Sequence, residues 1–169
     1  YKIDGMVIHP SVCSKEEYNF LVSLSFPVLI VGGAPLGDLP FVGNDEYEAA
    51  KKAAEQILRR EYDVLYFVFP DFDDPGKEFA GHQERYRGFS EVAKKSGKRY
   101  GVLGNGNYVE RALAVIREAA KEGKRAAFLC SGDVYAAQIM MGAYQEHGTA
   151  GIGYGLMGFG NDGVGKVHP

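Results

Sequence analysis

Residues 64–69 read VLYFVF, and residues 126–130 read AAFLC. Neither run shows the alternation of apolar and polar residues that a half-exposed strand would have. Continuously apolar strands are typical of a parallel sheet that is covered on both faces. These two stretches therefore predict the centre of such a sheet.

Outward from this centre, short apolar runs alternate with longer amphipathic segments. Strands are expected at 3–8, 27–31, 40–42, 64–69, 100–103, 126–130 and 154–159, and helices at 15–21, 46–60, 79–95, 109–121 and 133–147. This alternation predicts an α/β fold, with parallel sheets and helices on both faces. A lobe boundary is expected where the second helix ends, which divides the chain into residues 1–61 and 62–169.

Composition and charge exclude several classes of protein. The 169 residues are 46% hydrophobic and 24% charged, as in an ordinary globular domain. No run approaches the roughly 18 apolar residues of a membrane span, so no membrane partner is expected. A net charge of -3 gives the chain no general attraction to the phosphate backbone of nucleic acids. Two cysteines, Cys13 and Cys130, are too few for a disulfide scaffold or a four-cysteine zinc site.

The carboxyl ends of the expected strands carry mostly polar residues or glycine. His9, Gly32-Gly33, 71–74, 105–108, 131–133 and 160–161 stand at these ends. Open α/β sheets bind ligands at the carboxyl ends of their strands. The placement therefore predicts a small-molecule cleft.

Two phosphate-binding patterns are nearly met close to the end of the sequence. Residues 158–163 fit GxGxxG, and 160–166 resemble a P-loop. Both patterns need a helix to follow, but the next residues are glycine-broken and end at Pro169, and Val167 replaces the P-loop Ser or Thr. A glycine loop is the better interpretation, and no nucleotide cofactor is expected.

Catalytic and metal patterns are also incomplete. Ser131-Gly132-Asp133 follows a strand like a nucleophile elbow, but the Gly-x-Ser-x-Gly frame and a placed histidine base are missing. Asp133 suits a helix N-cap instead. The aspartates in 71–74 lack the distal glutamate of a calcium loop, and the histidines and cysteines lack zinc-ligand spacing. The sequence therefore predicts a protein that is not an enzyme and holds no metal.

Arg85 stands near the head of an expected helix, directly after a strand-end loop. From there its guanidinium can reach into the cleft, where its fork of donors matches vicinal hydroxyls or a carboxylate. The alternative is an arginine that is simply solvated on the helix surface.

The order of short motifs resembles the effector-binding region of the LacI/GalR family of bacterial transcription regulators. Residues 3–8 (IDGMVI) resemble the family's DGIII strand, and 42–45 (VGND) resemble its V-x-x-D. Residues 85–89 (RYRGF) match R-x-x-G-F. Residues 128–133 (FLCSGD) resemble A-I-F-C-A-N-D, and 158–161 (GFGN) resemble G-F-D-D. Together these motifs span nearly the whole chain in the family order.

The resemblance implies a two-lobed, type I periplasmic-binding-protein fold, here with a partial N-terminal lobe and most of the C-terminal lobe of a truncated region. It implies a small polar effector, a sugar or derivative, whose binding controls operator DNA allosterically through a helix-turn-helix absent from this chain. A homodimer in the cytoplasm is expected. The alternative is an exported sugar-binding protein of an ABC transporter with the same fold.

The resemblance also names site residues and shows where this sequence departs from the family. Many members contact the effector through the Asn of A-N-D and the first Asp of G-F-D-D, which are Gly132 and Gly160 here. Of these polar contacts only Arg85 is kept, and we expect Asp133 or Asn161 to supply others. The expected effector-binding residues are Arg85, Asp133, Asn161, Phe72, Asp71, Asn107, Tyr108 and His9.

Overall fold

The computed structural model describes residues 2–9, 13–33, 35–70, 80–104, 106–147 and 153–161. The strands within these ranges form two parallel sheets, one in each half of the chain, and helices connect and cover them. The expected α/β fold is confirmed.

The first sheet is small and carries one helix. Its strands are β1 (Met6–Ile8), β2 (Val28–Val31) and β3 (Phe41–Val42), in the order β1-β2-β3, and helix α1 (Lys15–Ser23) lies between β1 and β2. A capping box begins α1, because the Ser14 hydroxyl accepts from the Glu17 amide while the Glu17 carboxylate accepts from the Ser14 amide. Leu21, Val28 and Ile30 are the buried centre of this region.

The second sheet contains the two stretches that predict the fold. Its strands are β4 (Val64–Val68), β5 (Arg99–Leu103), β6 (Ala126–Cys130) and β7 (Tyr154–Met157), in the order β5-β4-β6-β7. The helices of this half are α2 (Glu46–Leu58), α3 (Ala80–Lys95), α4 (Tyr108–Lys121) and α5 (Asp133–His147). Strands β4 and β6 lie at the centre, as expected from their continuous apolar runs.

Helices cover both faces of the second sheet. Successive side chains of a strand point to opposite faces, so β4 feeds two separate clusters. Leu65 and Phe67 pack with residues of α2 and α3, whereas Val64 and Val68 pack with residues of α4 and α5. This arrangement explains why the central strands have no polar position.

Helix α2 packs with the second sheet. Ala54 and Ile57 of α2 belong to the same buried cluster as Phe67 and Phe89. A Cβ atom at Gly88 would lie 2.3 Å from the carbonyl oxygen of Tyr47, so only glycine lets α2 and α3 approach so closely. Helix α2 therefore belongs to the packing of the second sheet, and the expected division of the chain after residue 61 stays a prediction.

Candidate functional site

Arg85 is the centre of a group of contacts at the carboxyl edge of the second sheet. Its Nε donates a 2.6 Å hydrogen bond to Oε2 of Glu46, and its Nη1 donates a 2.6 Å bond to the carbonyl oxygen of Ser131. The guanidinium carbon also lies 4.4 Å from the ring centroid of Phe159. Arg85 therefore joins the first residue of α2 to the ends of β6 and β7, and the solvated alternative is wrong.

The Arg85 side chain is fixed by hydrogen bonds but remains partly exposed to solvent. The Arg85 and Glu46 side chains are 18% and 14% exposed, so solvent reaches the pair. Nη2 has no hydrogen-bond partner among the described residues, and a guanidinium carries two N–H groups on that nitrogen. These groups are suited to bind an oxygen atom of a ligand.

Asp133 lies beside the same strand end, at the first position of α5. Its backbone amide donates a 3.0 Å hydrogen bond to the carbonyl oxygen of Phe159. A Cβ atom at Gly158 would lie 2.1 Å from Oδ1 of Asp133, so the carboxylate rests against the glycine that follows β7. The structure therefore places Asp133 beside Gly158 and Arg85 beside Phe159, two consecutive residues after β7.

Asn161 follows this group at the end of the described chain. It is exposed and has a positive φ of 54°, a conformation that asparagine tolerates better than most residues. Its position two residues after Phe159 places it at the same edge of the sheet.

His9 lies at the corresponding edge of the first sheet. It follows β1, is exposed, and its ring lies against Gly32, where a Cβ atom would be 2.7 Å from Nε2. The next residue, Gly33, has its carbonyl oxygen 3.9 Å from where a Cβ of Gly81 would stand. Gly81 is one helical turn before Arg85, so the carboxyl edge of the first sheet faces the start of α3.

Tyr108 is buried on the side of the second sheet that α4 and α5 cover. Tyr108 is only 7% exposed and belongs to the cluster under α4 and α5, where its ring meets Tyr135 edge-on at 5.8 Å. Burial raises the pKa of its hydroxyl. Its role in binding stays a prediction. Asn107, at the N-cap of α4, is exposed and makes no side-chain capping bond.

Some expected site residues lie outside the described residues. These are Asp71 and Phe72. Their roles in binding stay predictions.

Sequence reasoning missed the partners that hold Arg85. Glu46 directly follows Asp45, the last residue of the VGND motif, and Phe159 is the aromatic residue of GFGN, so one stands next to a motif already singled out and the other inside one. Ser131 contributes only its backbone carbonyl to Arg85, which no side-chain pattern reveals.

The described residues hold no group of three or more His, Cys, Asp or Glu side chains placed to bind a metal ion. Cys13 and Cys130 are both free thiols. None of the helices in the described ranges is long and apolar enough to cross a membrane.

A separate cavity of about 570 Å³ opens beside the outer side of α3. It is lined by Tyr47, Tyr86, Arg87, Ser90, Glu91, Lys94 and Tyr100. It shares no lining residue with the Arg85 group and is open to solvent.

Comparison with known proteins identifies the fold. No protein-family model and no curated protein matches this sequence. A probable maltose operon transcriptional repressor from Staphylococcus aureus matches 98% of this chain with a TM-score of 0.78 and 16% identity. A periplasmic binding protein/LacI transcriptional regulator from Alkaliphilus metalliredigens, complexed with D-xylulofuranose, matches 98% with a TM-score of 0.72 and 16% identity. A LacI-family regulator from Enterococcus faecium with bound ribose matches 94% with a TM-score of 0.71 and 16% identity.

The chain spans about 60% of the length of these solved structures, or 60%, 59% and 59% respectively. The resemblance to the LacI-type fold that the motifs indicate is therefore confirmed at the level of structure.

Proposed function

We propose that this chain is the effector-binding region of a LacI-type transcriptional regulator and binds a small polar molecule, a carbohydrate or derivative, between the edges of its two sheets. The observation that carries the proposal is Arg85, which sits at the carboxyl edge of the second sheet with Nη2 directed to no described partner. Solved proteins of the same fold are bound to ribose and D-xylulofuranose.

The surroundings of Arg85 suit a polyol. Hydroxyl groups both donate and accept hydrogen bonds, so they complement the donors of Arg85 and the carboxylate acceptors of Glu46 and Asp133. Phe159 supplies an aromatic face beside these polar groups. His9 approaches from the first sheet, and we assign Asn161 to the second-sheet wall of the same site.

The proposed role is binding without chemistry. Ser131 is 1% exposed, so its hydroxyl is not available as a nucleophile. The neighbouring Cys130 is completely buried, and burial strongly raises the pKa of its thiol, which opposes formation of the reactive thiolate.

Effector binding would act on DNA through the arrangement of the two sheets. A ligand that contacts His9 on one sheet and Arg85 on the other favours whichever arrangement fits it best. We propose that coupling to operator DNA uses a DNA-binding segment of the whole regulator, such as a helix-turn-helix. We propose that the whole regulator works in the cytoplasm.

We further propose a homodimer formed through the outer side of α5. Val134, Met141 and Tyr144 are 44%, 67% and 67% exposed on this helix, which is apolar on its buried side as well. An exposed apolar stripe is typical of an interface. Replacing Met141 and Tyr144 with Asp should convert the dimer to a monomer in light scattering; a dimer that survives this double change uses another surface.

The alternative is an exported sugar-binding protein, since one of the solved structures of this fold is described as a periplasmic binding protein/LacI transcriptional regulator. Experiments on the whole gene product distinguish the regulator from the transport protein. Sugar-dependent binding to operator DNA in a gel shift supports the regulator, whereas a cleaved signal peptide supports the transport protein. The 169 residues alone should show no specific operator binding at physiological salt.

The decisive test of the site is Arg85→Ala. A thermal-shift panel of monosaccharides, disaccharides, purines and sugar phosphates first identifies a ligand, and calorimetry then compares the variants. Charge-assisted hydrogen bonds contribute about 1.5–3 kcal/mol each, so Arg85→Ala should weaken binding more than tenfold. Lys should restore little, because a point charge lacks the guanidinium fork.

Arg87→Ala is the matched control. Arg87 is two residues along the same helix, but it pairs with Glu84 at 2.6 Å and lies over the Tyr47 ring, away from the Arg85 group. It should leave the affinity unchanged. Equal affinity of wild type and Arg85→Ala would refute the proposed site.

A further inference from the structure

Glu46 forms an ion pair with Arg85 inside the candidate site. Its carboxylate takes the Nε edge of the guanidinium at 2.6 Å, and both side chains are more than four-fifths buried. A carboxylate at this distance balances the charge of Arg85 and makes a strong, charge-assisted hydrogen bond.

The Glu46 backbone is fixed by the start of α2. It is the first residue of that helix, and the N-cap Asp45 accepts a 2.9 Å hydrogen bond from the Glu48 amide. Closure of α2 on α3 at Gly88 holds the two helices together. Glu46 therefore faces Arg85 as a built part of the site.

From this geometry we infer that Glu46 is a specificity-determining residue, which makes the Arg85 site accept neutral hydroxyl-bearing ligands and exclude anions. The inference rests on the proposed function for its premise that the ligand meets Arg85. Beyond the proposed function, the inference states that the ligand is uncharged and that Glu46 selects for this property.

The charges at this edge support the exclusion. Arg85 is matched by Glu46, and Asp133 adds a second carboxylate against Gly158, next to the Phe159 ring that Arg85 covers. A phosphate or carboxylate ligand at Nη2 would lie close to the Glu46 carboxylate, a like charge that disfavours its binding. The ionised oxygens of an anion only accept hydrogen bonds, whereas the Glu46 carboxylate needs donors. A sugar hydroxyl can accept from Arg85 and donate to Glu46 at once.

The test is to remove the charge of Glu46 and measure anion binding. Inorganic phosphate and ribose 5-phosphate are the anionic probes, and ribose is the neutral one, all titrated by calorimetry in low-salt Hepes. Glu46→Gln should bind phosphate at least tenfold more tightly than wild type. Adding Arg85→Ala to Glu46→Gln should abolish this gain, because the anion binds through the guanidinium.

Glu48→Gln is the matched control, since Glu48 is on the same helix but pairs with Lys51 at 2.9 Å instead of Arg85. It should leave phosphate binding as weak as in wild type. Glu46→Ala removes the same charge and repeats the test if the Gln variant does not fold, which circular dichroism checks. A phosphate affinity within twofold of wild type in a folded Glu46 variant overturns the inference.

The two proposals fail in different ways. If phosphate binding rises in Glu46→Gln and depends on Arg85, but no neutral sugar binds wild type, the charge filter stands and the sugar-binding function is wrong. If sugars bind wild type through Arg85 and Glu46→Gln gains no affinity for phosphate, the function stands and the filter is wrong.

Discussion

The two sheets of this molecule differ in how completely they are covered. In the second sheet, Phe67 and Phe128 are fully buried on opposite faces beneath pairs of helices. In the first sheet, Val7 of β1 and Val42 of β3 are 69% and 59% exposed, and Phe20 of α1 is 62% exposed. The same alternation of strand and helix therefore gives two regions of different packing. The thick region is the second sheet with helices α2 to α5, and the thin region is the first sheet with helix α1.

This difference places the Arg85 group on the more completely packed of the two regions. A site that must hold a ligand atom precisely benefits from a rigid, close-packed support, and the Arg85 group is built on the thick region. The first sheet contributes the His9–Gly32 edge, which faces that support from a region with few buried contacts. We expect the second region to carry most of the stability of the chain and the first to open more easily.

Cavities in the two cores test this contrast most strongly. Phe128→Ala should lower the free energy of unfolding by about 3–5 kcal/mol, because it empties the centre of the second sheet. Leu21→Ala, the matched change under α1, should cost about 2 kcal/mol, the low end for a Leu→Ala change, since Leu21 retains 9% exposure. Urea unfolding measures both values. A larger loss from Leu21→Ala would reverse the ranking of the two regions.

The contact between α2 and α3 gives a second, smaller test inside the thick region. At Gly88 a Cβ atom would meet the Tyr47 carbonyl oxygen at 2.3 Å, and backbone cannot yield as a side-chain end can. Gly88→Ala should therefore destabilise the protein by up to about 3 kcal/mol and lower its melting temperature.

Gly106→Ala is the control for this change, because nothing lies within 4 Å of its Cβ position. It should leave the melting temperature close to that of wild type. If Gly88→Ala were equally harmless, α2 would not be closely packed on α3.

How far the sequence anticipates the structure also differs between the two regions. The continuous apolar runs predict the bounds of β4 and β6 to within one residue. A strand that is buried on both faces has no position suited to a polar side chain, so its whole length reads as apolar. The first strand was expected from Ile3 but begins at Met6, since only Met6–Ile8 pair with β2. A short edge strand has too few buried positions to define its ends by pattern.

The site was anticipated in part for a similar reason. Arg85 and Asp133 stand in recognisable motifs, so their placement at the strand ends follows from the alternation. The burial of Tyr108 could not be predicted from its neighbours in the sequence, because an aromatic residue at a strand end serves equally as a cleft wall or as core. Glu46 was overlooked since its partner is 39 residues away and only the packing of α2 on α3 brings them together.

The capping box of α1 gives a test of the thin region. Ser14→Ala removes the hydroxyl that accepts from Glu17 and should cost about 1 kcal/mol. The effect should be local, so labelling of the adjacent Cys13 by a thiol reagent should accelerate. Cys130, fully buried in β6, should stay protected and react only on global unfolding. Equal acceleration at both cysteines would show that the two regions unfold as one unit.

The smallest expected effect concerns the pH dependence of stability. It arises at the outer seam between α2 and α3, where Tyr47 and Lys95 both donate hydrogen bonds to the Glu91 carboxylate. The pKa of Glu91 is lowered to about 2, chiefly by the hydrogen bond from Lys95 and then by that from Tyr47. Because the folded-state pKa lies below the unfolded value of about 4.3, ionised Glu91 stabilises the fold above that pH, and the contribution is lost as the pH falls towards 2. The gain is modest because Glu91 keeps 33% side-chain exposure. Urea midpoints at pH 6 and pH 3 should fall less in Glu91→Gln than in wild type, and Lys95→Met should give an intermediate fall. An identical fall in all three would mean that this seam adds nothing to the thick region beyond its apolar packing.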